Sequence, residues 1–206
     1  MMNTQTIAGL DVSRETLERL ETYLALLKKW NPAINLVSKS TLDQAWQRHF
    51  IDSAQVFSLV PEHIRHWADF GSGGGFPGLV CATLARELSS KIRFTLVESD
   101  QRKATFLRTV ARELDLDVEV LSQRIEQLMP LEADLISARA LASLPKLLEF
   151  TERHLVPGGH AIFMKGMSFR EEISESLESW RFTHEEYPSV TDPESVILLI
   201  GDIDRV

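Results

Sequence analysis

The chain has 206 residues, of which 44% are hydrophobic and 25% charged, a composition that fits one ordinary globular domain and excludes a disordered or collagen-like chain. Its N-terminus lacks the basic and apolar regions of a signal peptide, and no apolar run reaches the roughly 18 residues needed to cross a bilayer, so we expect a cytoplasmic protein with no membrane partner. The lone Cys81 excludes an internal disulfide, and six scattered histidines provide no ligand set, so no metal site is expected.

Two helices are predicted in the first 65 residues. The first follows Ser13, a suitable N-cap, carries one apolar stripe at steps of three and four, and is expected to end at Asn31-Pro32. The second is predicted to begin at Ser40 and to end before Pro61.

Beyond residue 65, short apolar runs alternate with helical stretches, as a parallel sheet with crossover helices requires. The predicted strands are 66–70, 92–97, 117–121, 134–138, 160–164, 180–187 and 194–201. The predicted helices are 77–89, 100–114, 123–129, 143–155 and 169–179. We therefore predict an α/β fold with a doubly wound, mostly parallel seven-stranded sheet that ends in an antiparallel hairpin. Residues 1–65 are expected to pack as a helical extension on a core formed by residues 66–206.

A glycine-rich segment, residues 69–78 (DFGSGGGFPG), lies where the first core strand is predicted to turn into a helix. Glycines let a backbone approach a ligand closely, and free N–H groups at a helix start suit an anionic or carboxylate group. Gly73, Gly75 and Gly78 match the G-x-G-x-x-G pattern, which many nucleotide-binding proteins share. The loop therefore indicates a cofactor site without identifying the cofactor.

Glu98 ends the second predicted core strand, 20 residues after Gly78. An acidic side chain at that place accepts hydrogen bonds from the hydroxyls of an adenosine ribose. NAD and S-adenosylmethionine both carry that ribose, so the two features indicate adenosine and leave both cofactors open. A surface glutamate at a strand end is the structural alternative.

Two further segments favour S-adenosylmethionine. Asp69 directly precedes the glycines, and the run resembles the D-x-G-x-G-x-G signature of class I, Rossmann-like methyltransferases. Residues 155–162 (LVPGGHAI) are similar to the turn that leads into strand five of those enzymes. A dehydrogenase would need a second domain, for which about 40 residues after Lys165 leave little room. The resemblance implies a cofactor site that includes Asp69, Gly71, Gly73, Gly75 and Glu98.

More specific runs are spread over nearly the whole chain. They are Trp30-Asn31, Ile34-Asn35-Leu36, Arg48-His49, Asp52-Ser53, the run from Gly71 to Gly78, Arg124-Ile125-Glu126, Ser137-Ala138-Arg139-Ala140 and Lys165-Gly166. In these runs the chain resembles the RsmG (GidB) family, bacterial ribosomal RNA small-subunit methyltransferase G. The resemblance implies methylation of guanine N7 at one position in the decoding region, the 530 loop, of 16S rRNA. It also implies cofactor contacts at Gly71, Phe76, Ile125, Glu126 and Arg139, and it assigns no roles after Ser168.

Arg139 is the candidate catalytic residue. Guanine N7 has an in-plane lone pair and needs no deprotonation, so the enzyme has to align N7 with the methyl group and requires no nucleophile. We expect Arg139 at the C-terminal end of strand 134–138, where it can pair with a cofactor carboxylate or with guanine O6. A salt bridge to Asp69 or Asp134 is the structural alternative.

The net charge of −8 argues against an RNA partner, but its distribution does not. Residues 171–206 contain ten acidic and two basic residues, and the rest of the chain is balanced, so a local basic face is possible. Candidate RNA contacts are Lys28, Lys29, Arg48, His49, Arg102, Lys103 and Lys165, although solvated helix faces explain such residues equally well. His49 also lies on an apolar stripe, so the pattern is equally consistent with a buried structural histidine.

Other functions remain open to this sequence. The same fold and cofactor can serve a small-molecule or protein acceptor, and a non-catalytic module that binds S-adenosylmethionine could act in ribosome assembly. If 16S rRNA is the substrate, it can be free or part of a 30S particle, and the target base must be unpaired or extruded. We expect a monomer.

Overall fold

The computed structural model describes residues 5–89 and 91–206. It begins with an antiparallel hairpin of two short strands, β1 (Gln5–Ile7) and β2 (Leu10–Val12), which the sequence analysis did not predict. Ala8 and Gly9 connect them with φ angles of 47° and 83°. Such a two-residue turn with positive φ twists in the direction that antiparallel strands need.

Helix α1 spans Arg14–Ile34 and begins as predicted, because the Ser13 hydroxyl accepts the N–H of Thr16 at 3.3 Å. Its predicted end at Pro32 was wrong, since the helix continues through the proline. The side-chain oxygen of Asn31 accepts the N–H of Val37 at 2.8 Å and thereby ties the following turn to the helix.

The predicted helix from Ser40 to Pro61 is divided into three pieces. They are α2 (Lys39–Leu42), a π-helical turn at Trp46–Ile51 and α3 (Asp52–Ser58). The prediction of one continuous helix was therefore wrong. Apolar periodicity does not distinguish a π turn from an α-helix, although such turns frequently lie at functional sites.

The core is a seven-stranded sheet. Its strands are β3 (His66–Phe70), β4 (Arg93–Val97), β5 (Val118–Leu121), β6 (Ala133–Arg139), β7 (Leu155–Lys165), β8 (Trp180–Pro188) and β9 (Val196–Arg205). The order is β5-β4-β3-β6-β7-β9-β8, with parallel pairs from β5 to β7 and antiparallel pairs on both sides of β9. The predicted fold class and terminal hairpin are confirmed.

The crossover helices are α4 (Gly78–Leu88), α5 (Gln101–Glu113), α6 (Leu144–His154) and α7 (Phe169–Ser176). The helix predicted over 123–129 is only a 3-10 turn at Ile125–Gln127. The strand predicted at 160–164 begins earlier, at Leu155, across a shift in register opposite β6. The predicted turn around Pro157 and Gly158 lies at this register shift, where Gly158 has a φ of 75°.

The sheet is covered on both faces. Ala68 and Phe70 of β3 pack on the side of α6, whereas the fully buried Leu79 and Val80 of α4 belong to the opposite cluster. Helix α1 contacts α4 and α5 and forms a further layer over them. An N-terminal extension packed on the core agrees with these contacts. The boundary between residues 1–65 and residues 66–206 stays a prediction.

Within the part of the chain that the structure describes, no helix combines the length and apolar character needed to traverse a bilayer.

Candidate functional site

A cavity of about 500 Å³ opens at the carboxyl ends of β3, β4 and β6. This is the edge where open α/β sheets place their ligands. We call it the cofactor cavity. Its lining comprises Leu36, Gly71, Ser72, Gly73, Gly74, Phe76, Val97, Glu98, Ser99, Lys103, Gln123, Arg124, Ile125, Glu126, Arg139, Ala140, Leu141, Ala142 and Phe150.

The glycine loop forms one wall of this cavity. Gly73 has a φ of 53°, and its N–H donates to Glu98 Oε2 at 2.9 Å. At Gly78 the need for glycine is steric, because a Cβ there would lie 2.7 Å from Asp69 Oδ2. The glycine loop therefore packs against β3 at Gly78 and borders the cofactor cavity at Gly73.

Glu98 is fixed at the cavity edge. Besides the N–H of Gly73, its carboxylate accepts the N–H of Asp100 at 2.8 Å, through Oε1. Each oxygen retains a further acceptor position, since a carboxylate has about four in total. The side chain is oriented by backbone groups and can still accept two hydroxyls.

Asp69 is not among the residues that line the cofactor cavity, and its contact with the cofactor stays a prediction. It is completely buried beneath the glycine loop, where Oδ1 accepts the Ser137 hydroxyl at 2.6 Å. Ser137 in turn accepts the indole N–H of Trp67 at 2.8 Å. Burial raises the pKa of Asp69 to about 6. This carboxyl group supports the loop from below.

Gly75 also lies outside the cavity lining, and a Cβ there would collide with the hydroxyl of Tyr23. That hydroxyl donates to the carbonyl of Gly74, and the Tyr23 ring stacks on Phe76 with centroids 5.4 Å apart. Tyr23 is fully buried. The sequence analysis missed its role, because on an apolar stripe it reads as an ordinary core residue.

The remaining predicted cofactor residues lie together. Gly71, Phe76, Ile125, Glu126 and Arg139 all line the cofactor cavity, with Phe76 and Ile125 buried. Ile125 and Glu126 belong to the 3-10 turn after β5, so they reach the cavity from the wall opposite the glycine loop.

Arg139 and His49 form a hydrogen-bonded chain at the end of β6. Arg139 Nη1 donates to His49 Nδ1 at 2.9 Å, which leaves the proton on Nε2 to be donated to the Thr41 hydroxyl at 2.9 Å. Burial, followed by the charges of Arg139 and Arg48, lowers the pKa of His49 to about 3. A neutral histidine with both ring nitrogens hydrogen-bonded favours the structural alternative, and a contact of His49 with RNA stays a prediction.

The alternative salt bridges of Arg139 do not form among the described residues. Asp134 instead accepts the N–H groups of Arg65 and His66, both at 2.8 Å. The guanidinium lies 5.0 Å from the centroid of the Phe76 ring, a cation–π arrangement. Burial lowers the pKa of Arg139, and the charge of Asp52 opposes that shift.

The candidate RNA contacts fall into two groups. Lys28, Lys29 and Arg102 are exposed, and Lys103 lines the cofactor cavity. The others are already engaged: Arg48 pairs with Asp192 at 3.0 Å, and Lys165 pairs with Glu172 at 2.6 Å with only 9% of its side chain exposed. The ammonium of Lys165 also donates to the carbonyl of Ala142, and an RNA contact of this residue stays a prediction.

The sheet order, the glycine loop after β3 and the acidic residue after β4 define a class I S-adenosylmethionine-dependent methyltransferase. The site fits this cofactor on its own geometry. Its volume lies in the usual range for small-molecule sites, and Glu98 retains acceptors for two hydroxyls.

The family follows from comparison with known sequences. The chain belongs to the rRNA small subunit methyltransferase G family, GidB, whose sequence model matches residues 16–197. A relative of that name from Cereibacter sphaeroides is 52% identical over 206 residues, covering 100% of both chains. Another from Rhodospirillum centenum is 51% identical over 196 residues, covering 95% of this chain and 88% of the relative. The predicted family is confirmed.

Solved structures support the fold. A S-adenosylmethionine-dependent methyltransferase from Aquifex aeolicus is similar with a TM-score of 0.58 and 16% identity, over 77% of this chain and 92% of that one. An O-methyltransferase from Bacillus cereus is similar with a TM-score of 0.56 and 18% identity, over 93% and 92% of the two chains. These similarities show the fold, and the assignment of S-adenosylmethionine rests on the family and on the geometry of the cofactor cavity.

Proposed function

We propose that this protein methylates guanine N7 at one position in the decoding region, the 530 loop, of 16S rRNA. Membership in the family supports small-subunit rRNA as the substrate class. The structural observation that carries the proposal is the half-buried Arg139, which donates to a histidine that is not free to act as a base. The site is thus arranged to donate hydrogen bonds, and the N7 and O6 edge of guanine consists of two acceptors.

The proposed cofactor residues surround the cofactor cavity. Glu98 would hold the ribose hydroxyls, Gly71 and Gly73 would offer backbone to the ligand, and Ile125 with Glu126 would contact it from the opposite wall. S-adenosylmethionine supplies an electrophilic methyl group on a sulfonium centre.

The residues of the chain itself have a positioning task. Arg139 retains donors beyond the one given to His49, and these can hold guanine O6 so that N7 faces the cofactor cavity. The pairing with His49 and Thr41 fixes the guanidinium in place. No proton has to be removed from N7.

Covalent catalysis is not part of the proposal. Cys81 is buried within α4, and its thiol lies 3.5 Å from the carbonyl of Ser53. Burial raises the pKa of this thiol well above its ordinary value, which suppresses the nucleophilic thiolate.

We further propose that the protein acts as a monomer in the cytoplasm, where ribosomal subunits are assembled. The exposed Lys28, Lys29 and Arg102, with Lys103 at the cavity, would engage phosphates.

The test uses 30S particles and free 16S rRNA from cells that lack the gene. Purified protein and labelled S-adenosylmethionine are added, and 7-methylguanosine is mapped by borohydride reduction and aniline cleavage of the RNA. One labelled guanosine in the decoding region is expected, with Arg139→Ala as the inactive control. Label in protein or small molecules, or binding of S-adenosylmethionine without transfer to RNA, would contradict the proposal.

A further inference from the structure

We propose that Asp52 determines the base specificity of this site by accepting hydrogen bonds from the N1–H and N2–H groups of guanine. The inference rests on the proposed transfer to guanine N7. Asp52 lies in one of the runs that carry the family resemblance, but the sequence analysis gave it no role.

Two more cavities adjoin the cofactor cavity. The second, of about 240 Å³, lies between β6, β7 and the start of β9, and the third, of about 360 Å³, lies against α2 and the π-helical turn. Arg139 and Ala140 line all three cavities, and Asp52 lines the second and the third. The end of β6 is therefore a junction with the cofactor cavity on one side and Asp52 on the other.

Asp52 keeps unused acceptor capacity in this place. Its Oδ1 accepts the hydroxyls of Ser189 at 2.7 Å and Thr191 at 3.2 Å, both on the connection between β8 and β9. A carboxylate offers about four acceptor positions, so about two remain for a ligand. The residue is only 9% exposed, and a charge in such surroundings favours strong hydrogen bonds with a donor that enters the cavity.

The order of groups around guanine matches the order of groups in the site. Around the rim of the base, from the Hoogsteen edge to the Watson–Crick edge, follow the N7 acceptor, the O6 acceptor, the N1–H donor and the N2–H donor. The junction presents the cofactor cavity, then the Arg139 donors, then the Asp52 acceptors. A guanine with N7 toward the cofactor and O6 at Arg139 would thus turn both donors toward Asp52.

The same arrangement rejects adenine. Adenine has an amino donor in place of O6, which would meet the donors of Arg139, and its N1 is an acceptor, which would meet the Asp52 carboxylate. Buried donors and acceptors left without partners are costly. Asp52 therefore disfavours the binding of adenine as well as favouring the binding of guanine.

The experiment compares two 30S particles that carry guanosine or inosine at the target position of 16S rRNA. Inosine keeps N7, O6 and N1–H and lacks only the N2 amino group. Loss of one hydrogen bond to a charged acceptor predicts a kcat/KM about 10- to 100-fold lower for inosine with the wild-type protein. Asp52→Asn should bring the two substrates to within about threefold, mainly because guanosine becomes a poorer substrate.

A matched control removes a neighbour of the carboxylate instead. Ser189→Ala deletes one hydroxyl that Asp52 accepts and leaves the carboxylate in place, so the ratio of guanosine to inosine should stay at the wild-type value even if the absolute rate falls. A purely structural role of Asp52 would lower both rates and leave the ratio unchanged. Equal use of guanosine and inosine by the wild-type protein would overturn the inference without any variant.

A third particle, with 7-deazaguanosine at the target, separates this inference from the proposed function. No methylation of that particle, together with equal use of guanosine and inosine, would reject the role of Asp52 and retain transfer to N7. Methylation of the 7-deazaguanosine particle at that position would reject transfer to N7 itself.

Discussion

Tyr23→Phe tests whether α1 supports the glycine loop. The substitution removes only the hydroxyl that donates to the Gly74 carbonyl, and it keeps the ring packed against Phe50 and Phe76, at centroid distances of 4.9 and 5.4 Å. Because the carbonyl is left buried without its donor, we expect the free energy of unfolding to fall by about 1–3 kcal/mol.

The same change should weaken the binding of S-adenosylmethionine. The free energy of cofactor binding can fall by no more than the free energy of the lost hydrogen bond, about 1–3 kcal/mol. Since a factor of ten in affinity corresponds to about 1.4 kcal/mol, the upper bound on the loss of affinity is about 5- to 150-fold. Urea denaturation with and without cofactor measures the first quantity, and titration calorimetry measures the second.

The chain provides a matched control, because it contains two tyrosines. The hydroxyl of Tyr187 donates to Glu185 at 2.6 Å in an exposed position, so Tyr187→Phe should change stability by no more than about 0.5 kcal/mol. If Tyr23→Phe behaves like Tyr187→Phe in both measurements, the coupling between α1 and the loop is refuted.

Four further outcomes are expected. Glu98→Ala should weaken the binding of S-adenosylmethionine by about 1–3 kcal/mol, measured by calorimetry, and unchanged affinity with an intact fold would remove Glu98 from the site. Arg139→Lys keeps the charge without the planar fork and should lose most methyl transfer, whereas near wild-type transfer by Arg139→Ala would exclude a role for this residue. The pKa of His49 is about 3 in the folded chain and near 6.5 in the unfolded chain, so the unfolded chain takes up a proton between pH 7 and 5 and the free energy of unfolding should fall by about 2 kcal/mol. Urea titrations at the two pH values should show that His49→Asn lacks this contribution. Methyl transfer to RNA should fall steeply as salt rises, and a flat dependence would argue against a phosphate-binding face.

Much of the sheet could be predicted from the sequence because its signals are local. Alternating apolar runs and turn residues located the core strands, and the glycines after β3 with Glu98 after β4 indicated the cavity edge. These features depend on strand period and backbone geometry, which neighbouring residues largely determine.

Other features depend on contacts between distant parts of the chain. Helix α1 continues through Pro32, and the Asn31 side chain ties the turn that follows to the helix. The π-helical turn that carries His49 has no distinctive periodicity. Burial of Asp69 beneath the loop follows from its packing against Gly78 and Ser137, not from its place in the motif. Sequence reasoning therefore indicated the cavity edge, but it did not indicate that Asp69 is completely buried or that Lys165 pairs with Glu172.

The layer that α1 forms over α4 and α5 also bears on how the chain is made. The apolar side of α1 includes Leu20, Tyr23 and Leu27, all fully buried in the finished protein. Its partners extend to the end of α5 at Glu113, so a bacterial ribosome elongating at about 5–20 residues per second needs about 4–16 s after completing α1 to produce them. During that interval the first helix is an exposed amphipathic segment, and we expect it to be the region of the nascent chain that chaperones bind first.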